Sequence, residues 1–155
     1  MIGNGTVKLS IVVLGTLAFA MLSGVAATAS EPVAAPSCAS PVGEWQNEFG
    51  SVFEILAVDP STNAITGRYM LPALPGKWFP AQGWVNSGTG SQHTVPKVIS
   101  FAVHWGAAGG ITSWIGSCDN GSGMPKISTL LHMARPSSPN PWDHIAASAE
   151  TFTPK

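Results

Sequence analysis

Gly43-Glu44-Trp45-Gln46-Asn47-Glu48-Phe49-Gly50-Ser51-Val52-Phe53 carries two strands and the turn between them. Trp45, Asn47 and Phe49 recur at the period of 2 that marks a strand. Gly50 breaks the run where a tight hairpin must reverse. Ser51 and Phe53 then open a second strand. Side chains alternate across a strand, so Asn47 before the turn and Ser51 after it can both point inward. Two readings follow. The amide and the hydroxyl converge to hold a small polar group at the mouth of a barrel, or they only satisfy the backbone of the turn.

The chain has 155 residues, which makes one domain the default. Its first segment has the pattern of a targeting peptide. Lys8 is the sole charge before Glu31, Leu9 to Leu22 is apolar apart from Ser10, Gly15 and Thr16, and Ala27-Thr28-Ala29 supplies small-x-small spacing. Residues 1–29 are therefore expected to be a secretory signal peptide cleaved after Ala29. The apolar run is short for a membrane span, and no later stretch could cross a membrane. The mean hydropathy of +0.22 is raised by this segment. The expected location is extracytoplasmic, either secreted or periplasmic. The two cysteines, Cys38 and Cys118, are then expected to form one disulfide.

The remaining residues, about 125 on this reading, hold few charges and no basic cluster. Nucleic-acid and anionic-membrane surfaces are excluded on that ground. All six tryptophans fall after residue 29, glycine and proline are frequent, and no helical period is visible. This is the composition of an all-β sandwich or barrel.

Residues 30–41 read as a Pro/Ala/Ser-rich lead-in, and 42–155 as the folded domain. Strands are expected at Gly43–Phe49, Ser51–Val58, Ile65–Leu71, Trp78–Val85, Lys97–Trp105, Ile111–Cys118, Lys126–Met133 and Ile145–Phe152. Pro80 within the fourth implies an edge position or a bulge. The fifth alternates cleanly, with Ile99, Phe101, Val103 and Trp105 on one face and Ser100, Ala102 and His104 on the other. Gly106 to Gly110 and Asn86 to Pro96 read as loops, and Trp142-Asp143-His144 fits a single helical turn. Eight short strands in a meander make an eight-stranded up-and-down antiparallel barrel, wide enough for one small ligand. Nucleophile-elbow, phosphate-loop and zinc motifs are absent from the sequence. His93, His104, His132 and His144 lack metal-ligand spacing and read as surface residues, and Glu48 and Glu54 read as solvated. Asn120-Gly121-Ser122 is a glycosylation sequon.

Taken together, the hairpin, Thr66-Gly67-Arg68-Tyr69, Phe101-Ala102-Val103-His104-Trp105, Thr112-Ser113-Trp114-Ile115-Gly116 and Glu150-Thr151-Phe152-Thr153 resemble the avidin/streptavidin family of biotin-binding proteins. The resemblance spans Gly43 to Thr153. It implies a secreted, non-enzymatic binder of biotin that needs no cofactor or metal. Asn47, Ser51 and Tyr69 match the positions that hydrogen-bond the ureido oxygen, and Thr112 matches the hydroxyl facing the ring sulfur. Trp105 and Trp114 match aromatic walls, and Glu150 matches an acceptor for a ureido N–H. Trp142 matches the tryptophan that tetrameric members lend to a neighbouring subunit, which implies a homo-oligomer, a tetramer rather than a dimer. Cys38 and Cys118 match a bridged pair in the avian protein.

The departures fall on the ligand side. Leu131 stands where most members have a third pocket tryptophan. Gly110 replaces a serine that contacts the carboxylate end, Leu71 or Pro72 replaces a serine that accepts the second ureido N–H, and Glu150 is one methylene longer than an aspartate. The alternative function is therefore a barrel of the same fold with an altered pocket, binding biotin weakly or taking another small apolar ligand.

Overall fold

The alternation of apolar and polar side chains closes on itself. In the computed structural model, which describes residues 34–86, 97–121 and 123–155, eight strands run as β1 (Gly43–Asn47), β2 (Val52–Val58), β3 (Ala64–Met70), β4 (Trp78–Asn86), β5 (Lys97–His104), β6 (Ile111–Asp119), β7 (Lys126–Ala134) and β8 (Ile145–Pro154). Each pairs antiparallel with its neighbour in sequence, and β1 pairs with β8, so the sheet is a closed up-and-down barrel. The signal-peptide segment, the first residues of the lead-in, Ser122 of the sequon, and most of the Asn86–Pro96 loop with His93 lie outside the described residues.

Inward positions follow the expected period. Ile99, Phe101 and Val103 of β5 are buried while Val98, Ala102 and His104 are exposed. The interior is filled by aromatic rings. Phe53 stacks on Phe101 with centroids 3.9 Å apart, Phe101 stacks on Trp114 at 4.7 Å, and Phe152 meets Phe53 and Phe101 edge-on. Such pairs add to simple burial, and they fill the barrel below its mouth.

Four local expectations change. Phe49 is 64 % exposed and lies in the turn, not in β1. The reversal takes three residues, Glu48 to Gly50. Gly50 N–H bonds Asn47 O, Asn47 N–H bonds Ser51 O, and Gly50 adopts a left-handed φ of 83°, the αL residue of a three-residue hairpin loop. Trp105 falls just beyond β5, where the chain enters a short 3-10 helix at Gly106–Ala108. Trp142 lies in a hydrogen-bonded turn over Asn140–Asp143, closed by Asp143 N–H to Asn140 O, and Trp142-Asp143-His144 makes no helical turn. Glu54 is paired with Arg68 across β2 and β3.

Pro80 shows how a closed barrel keeps an edge. Its pairing with Arg68 of β3 is regular, yet the β4–β5 ladder starts one residue later, at Ala81 opposite Val103. The missing N–H therefore faces no ladder partner. The one register shift among these pairings is on β2, between Ile55 and Ala57. At the end away from the β1–β2 turn, the lead-in folds across the barrel. Cys38 is bridged to Cys118, Trp45 Nε1 donates to Pro41 O at 2.8 Å, and Lys97 Nζ donates to Ala39 O at 2.9 Å.

Candidate ligand site at the barrel mouth

The β1–β2, β3–β4, β5–β6 and β7–β8 connections all lie at one end of the barrel, and the candidate side chains sit on the strands beneath them. Asn47 ends β1. Its Oδ1 accepts the backbone N–H groups of Phe49 (3.1 Å) and Ser51 (2.8 Å). That fixes the orientation of the amide, so Nδ2 must point inward as a donor. The two readings of Asn47 are thus both met, one by each end of its amide.

Nδ2 of Asn47 donates to Glu150 Oε2 at 3.0 Å and makes a longer contact of 3.4 Å with the Tyr69 hydroxyl. Trp114 Nε1 donates to the same Glu150 oxygen at 3.0 Å. Glu150 on β8 therefore gathers groups from β1 and β6. Tyr69 on β3 stacks on Trp114 with centroids 5.0 Å apart and meets Trp105 edge-on at 5.8 Å. Burial holds the Tyr69 phenol well above the usual tyrosine range. The Ser51 hydroxyl opposes that shift by hydrogen bonding, and the Glu150 charge adds to it. The phenol stays protonated, and so a donor, at any ordinary pH.

Thr112 on β6 is buried, and its Oγ1 accepts from Trp105 Nε1 at 2.8 Å. With the lone pair engaged there, its O–H is free to point elsewhere. Leu131 is buried beside Trp114, opposite it in the β6–β7 register. Asn47, Ser51, Tyr69, Thr112, Trp114, Leu131 and Glu150 thus meet in one region, with Trp105 above them. Trp142 does not join them: it is 80 % exposed on the β7–β8 connection.

Above the cluster opens a cavity of about 500 Å³, walled by Leu71, Phe79, Trp105 and Met133 and rimmed by Lys77 and Arg135. Trp105 belongs to both levels, packing edge-on against Phe79 at 5.0 Å while its Nε1 reaches Thr112. Gly110 is part of the wall, and a Cβ there would lie 3.3 Å from Trp105 Cδ1 and 3.2 Å from Ala134 O. A side chain at Gly110 would press on the Trp105 ring.

Sequence reasoning passed over Phe79, Met133, Lys77 and Arg135. The first two were legible, because extending the inward alternation of Ala81 and Leu131 by one step reaches them. The two cations stand in connections, where no period sets direction. His144, expected at the surface, is half-buried with Nδ1 2.9 Å from Arg135 O.

A closed eight-stranded barrel with polar groups converging under an aromatic mouth has the architecture of the barrels that hold one small ligand. The avidin family profile matches residues 35–155, and the chain belongs to that family. Among solved structures, core-bradavidin is 28 % identical, with a TM-score of 0.58 over 72 % of this chain and 97 % of that one. A shwanavidin variant in complex with biotin is 26 % identical, with a TM-score of 0.55 over 77 % and 96 %. A biotin binding protein from chicken, at 23 % identity, shares the fold with a TM-score of 0.61 over 74 % and 96 %. No curated protein sequence matches the chain.

Proposed function

We propose that this barrel is a non-catalytic biotin-binding protein that uses no cofactor or metal. The observation that carries the reading is the convergence of Asn47 Nδ2, the Ser51 hydroxyl and the protonated Tyr69 phenol at one buried point. A ureido oxygen has lone pairs for several donors at once. In a water-poor barrel each such bond is stronger than in solution. In this reading Glu150 accepts a ureido N–H, Thr112 meets the ring sulfur, and Trp105, Trp114 and Leu131 serve as walls that exclude water. The Asn47 amide is already oriented by the β1–β2 turn, so its ordering cost on binding is small.

Binding weaker than in members with the full residue set is expected. Leu131 trims one wall. In addition, Asn47 and Trp114 already donate to Glu150, so a ligand must displace or share those bonds. These terms, at about 1–3 kcal/mol each, lower affinity by a few powers of ten. The second reading, an altered pocket that takes biotin weakly or takes another small apolar ligand, is favoured by a different observation: the cavity is walled by Phe79, Met133 and Leu71 rather than by the polar cluster.

We further infer export from the targeting segment and the disulfide, and assembly into a homo-oligomer, a tetramer rather than a dimer. Support for assembly comes from the outer wall of β5–β8. Between the row Val98, Ser117, Ser128, Thr151 and the row His104, Ile111, Ala134, Ile145, its outward positions hold no Asp, Glu, Lys or Arg. The 80 % exposure of Trp142 fits a side chain offered to a neighbouring subunit's site.

Calorimetric titration of the exported chain with biotin tests the reading. Heat and tryptophan quenching are expected, with Ser51→Ala weakening binding by about 1–3 kcal/mol and Leu131→Trp strengthening it. No heat, no quenching and no effect of Ser51→Ala would hand the site to the second reading.

A further inference from the structure

The rim of the mouth cavity carries a charge that the polar cluster does not use. Its lining includes Lys77 and Arg135 and no carboxylate, in a chain whose net charge is −1. Arg135 is anchored from one side: its NH2 group donates to Asp143 Oδ1 at 2.8 Å, and its backbone N–H and C=O engage His144. That leaves Nε, which is buried and has no hydrogen-bond partner. Buried donors are nearly always paired, so the orphan marks a guanidinium that its protein neighbours do not saturate, on a side chain that is 40 % exposed and lines the cavity. Lys77 comes from the β3–β4 connection, with Nζ 5.2 Å from the centroid of the Phe79 ring. Among the described residues no carboxylate lies within ion-pair distance of it. Between the two cations the wall is apolar, with Phe79, Trp105 and Met133.

We propose that Lys77 and Arg135 form a cationic clamp that selects ligands whose apolar stem ends in a carboxylate, and disfavours the same ligand once that end is neutral or conjugated. Phe79, Trp105 and Met133 take the stem. The carboxylate meets the exposed part of the Arg135 guanidinium and the Lys77 ammonium, which are charge-assisted donors and stronger than neutral ones. Gly110 contributes no hydroxyl at this level, which leaves Lys77, Arg135 and the Ser137 hydroxyl as the polar side chains of the lining, and the two cations supply its charge. In its application to biotin the inference rests on the proposed function. The clamp makes the barrel a receptor for the free acid rather than for biotin attached through an amide.

The experiment is a paired titration of the wild type with biotin and with biotinamide, at low and high salt, repeated with Lys77→Gln and Arg135→Gln. The acid should bind about ten- to hundredfold more tightly than the amide. Salt should shrink that ratio, and each variant should bring it close to one while leaving amide binding unchanged. A role of Arg135 limited to holding the β7–β8 connection through Asp143 would weaken acid and amide alike. Lys77 is exposed and outside the core, so its variant remains informative if Arg135→Gln fails to fold. Equal affinity for acid and amide overturns the clamp and leaves the proposed function standing. If neither biotin compound binds, the proposed function has failed. Octanoate against octanamide then decides the clamp: preference for octanoate supports it, and equal or absent binding of the two overturns it.

Discussion

The two halves of the barrel wall solve the same problem in opposite ways. On β1–β4 the outward side chains include Glu44, Gln46, Glu54, Arg68 and Gln82, and the charges are matched. Arg68 pairs with Glu54 and lies 4.3 Å over the Trp78 ring, and Lys155 pairs with Glu44 at 2.8 Å. On β5–β8 the outward rows are Ile, Leu, Ala, Ser and His, with Ile115, Leu130 and Ile145 all more than half exposed. Strands about 4.8 Å apart and rows about 6.8 Å apart make this second face roughly 500 Å². The face mixes aliphatic residues with Ser, Thr and His and carries no Asp, Glu, Lys or Arg, and depletion of charge is the mark of an interface core. Inward alternation is the same in both halves, so the fold does not set the difference. The outward residues decide which half meets water and which is suited to being covered.

Separating the halves where they are clamped should have the largest effect. Cys38 precedes β1 and Cys118 lies in β6, at a sequence separation of 80. Removing both thiols as Cys38→Ser/Cys118→Ser should cost about 4–5 kcal/mol in the chain-entropy model, read as a lower denaturant midpoint. An unchanged midpoint would show that the lead-in holds without the bridge.

The next test places charge on the bare face. Ile115→Glu with Leu130→Glu should convert the proposed oligomer to monomer in light scattering, since each uncompensated buried charge costs about 3–5 kcal/mol. Arg68→Met on the other face is the control and should change stability by about 1 kcal/mol or less. A double variant that keeps the wild-type mass removes the β5–β8 face from any interface.

The third effect is nil at neutral pH. Tyr69 reaches across the interior from β3 to Trp114 on β6, and it is the only tyrosine in the chain. Its folded pKa is raised by burial, so an unfolded chain loses the proton first, near pH 10. The stability that Tyr69 contributes is therefore full below about pH 10 and is lost as pH rises beyond it. Tyrosinate absorbance should stay absent from the native protein at a pH where the denatured protein shows it. Native titration near pH 10 would mean that the phenol is open to water.

Much of this was written in the alternation. Lys97–His104 reads as an inward and an outward list, and burial follows it residue by residue. Asn47, Ser51, Tyr69, Thr112 and Trp114 were legible for the same reason, because a strand fixes which way each side chain points. Phe49 was misread because it kept the period for one step past the strand, into a loop whose geometry is set by Gly50. Trp105 overran β5 in the same way. The Glu150 bonds to Asn47 and Trp114 join strands distant in sequence, so no local pattern could contain them. Arg135 was silent for a further reason: its meaning lies in an unpaired Nε, and only packing reveals that.

One feature of the sheet orders events in time. Seven of its eight pairings join strands consecutive along the chain, and only β1 and β8 must meet from opposite ends, through Trp45 with Pro154, Gln46 with Thr153 and Asn47 with Phe152. Local pairings close small loops cheaply, while this one carries the entropy of nearly the whole meander. Asn47 and Glu150 stand on the two sides of that seam. The candidate site is then the last part of the molecule to exist as the chain folds and the first to vanish when the seam opens. A ligand that holds both residues acts as a latch, shifting the open–closed equilibrium by mass action.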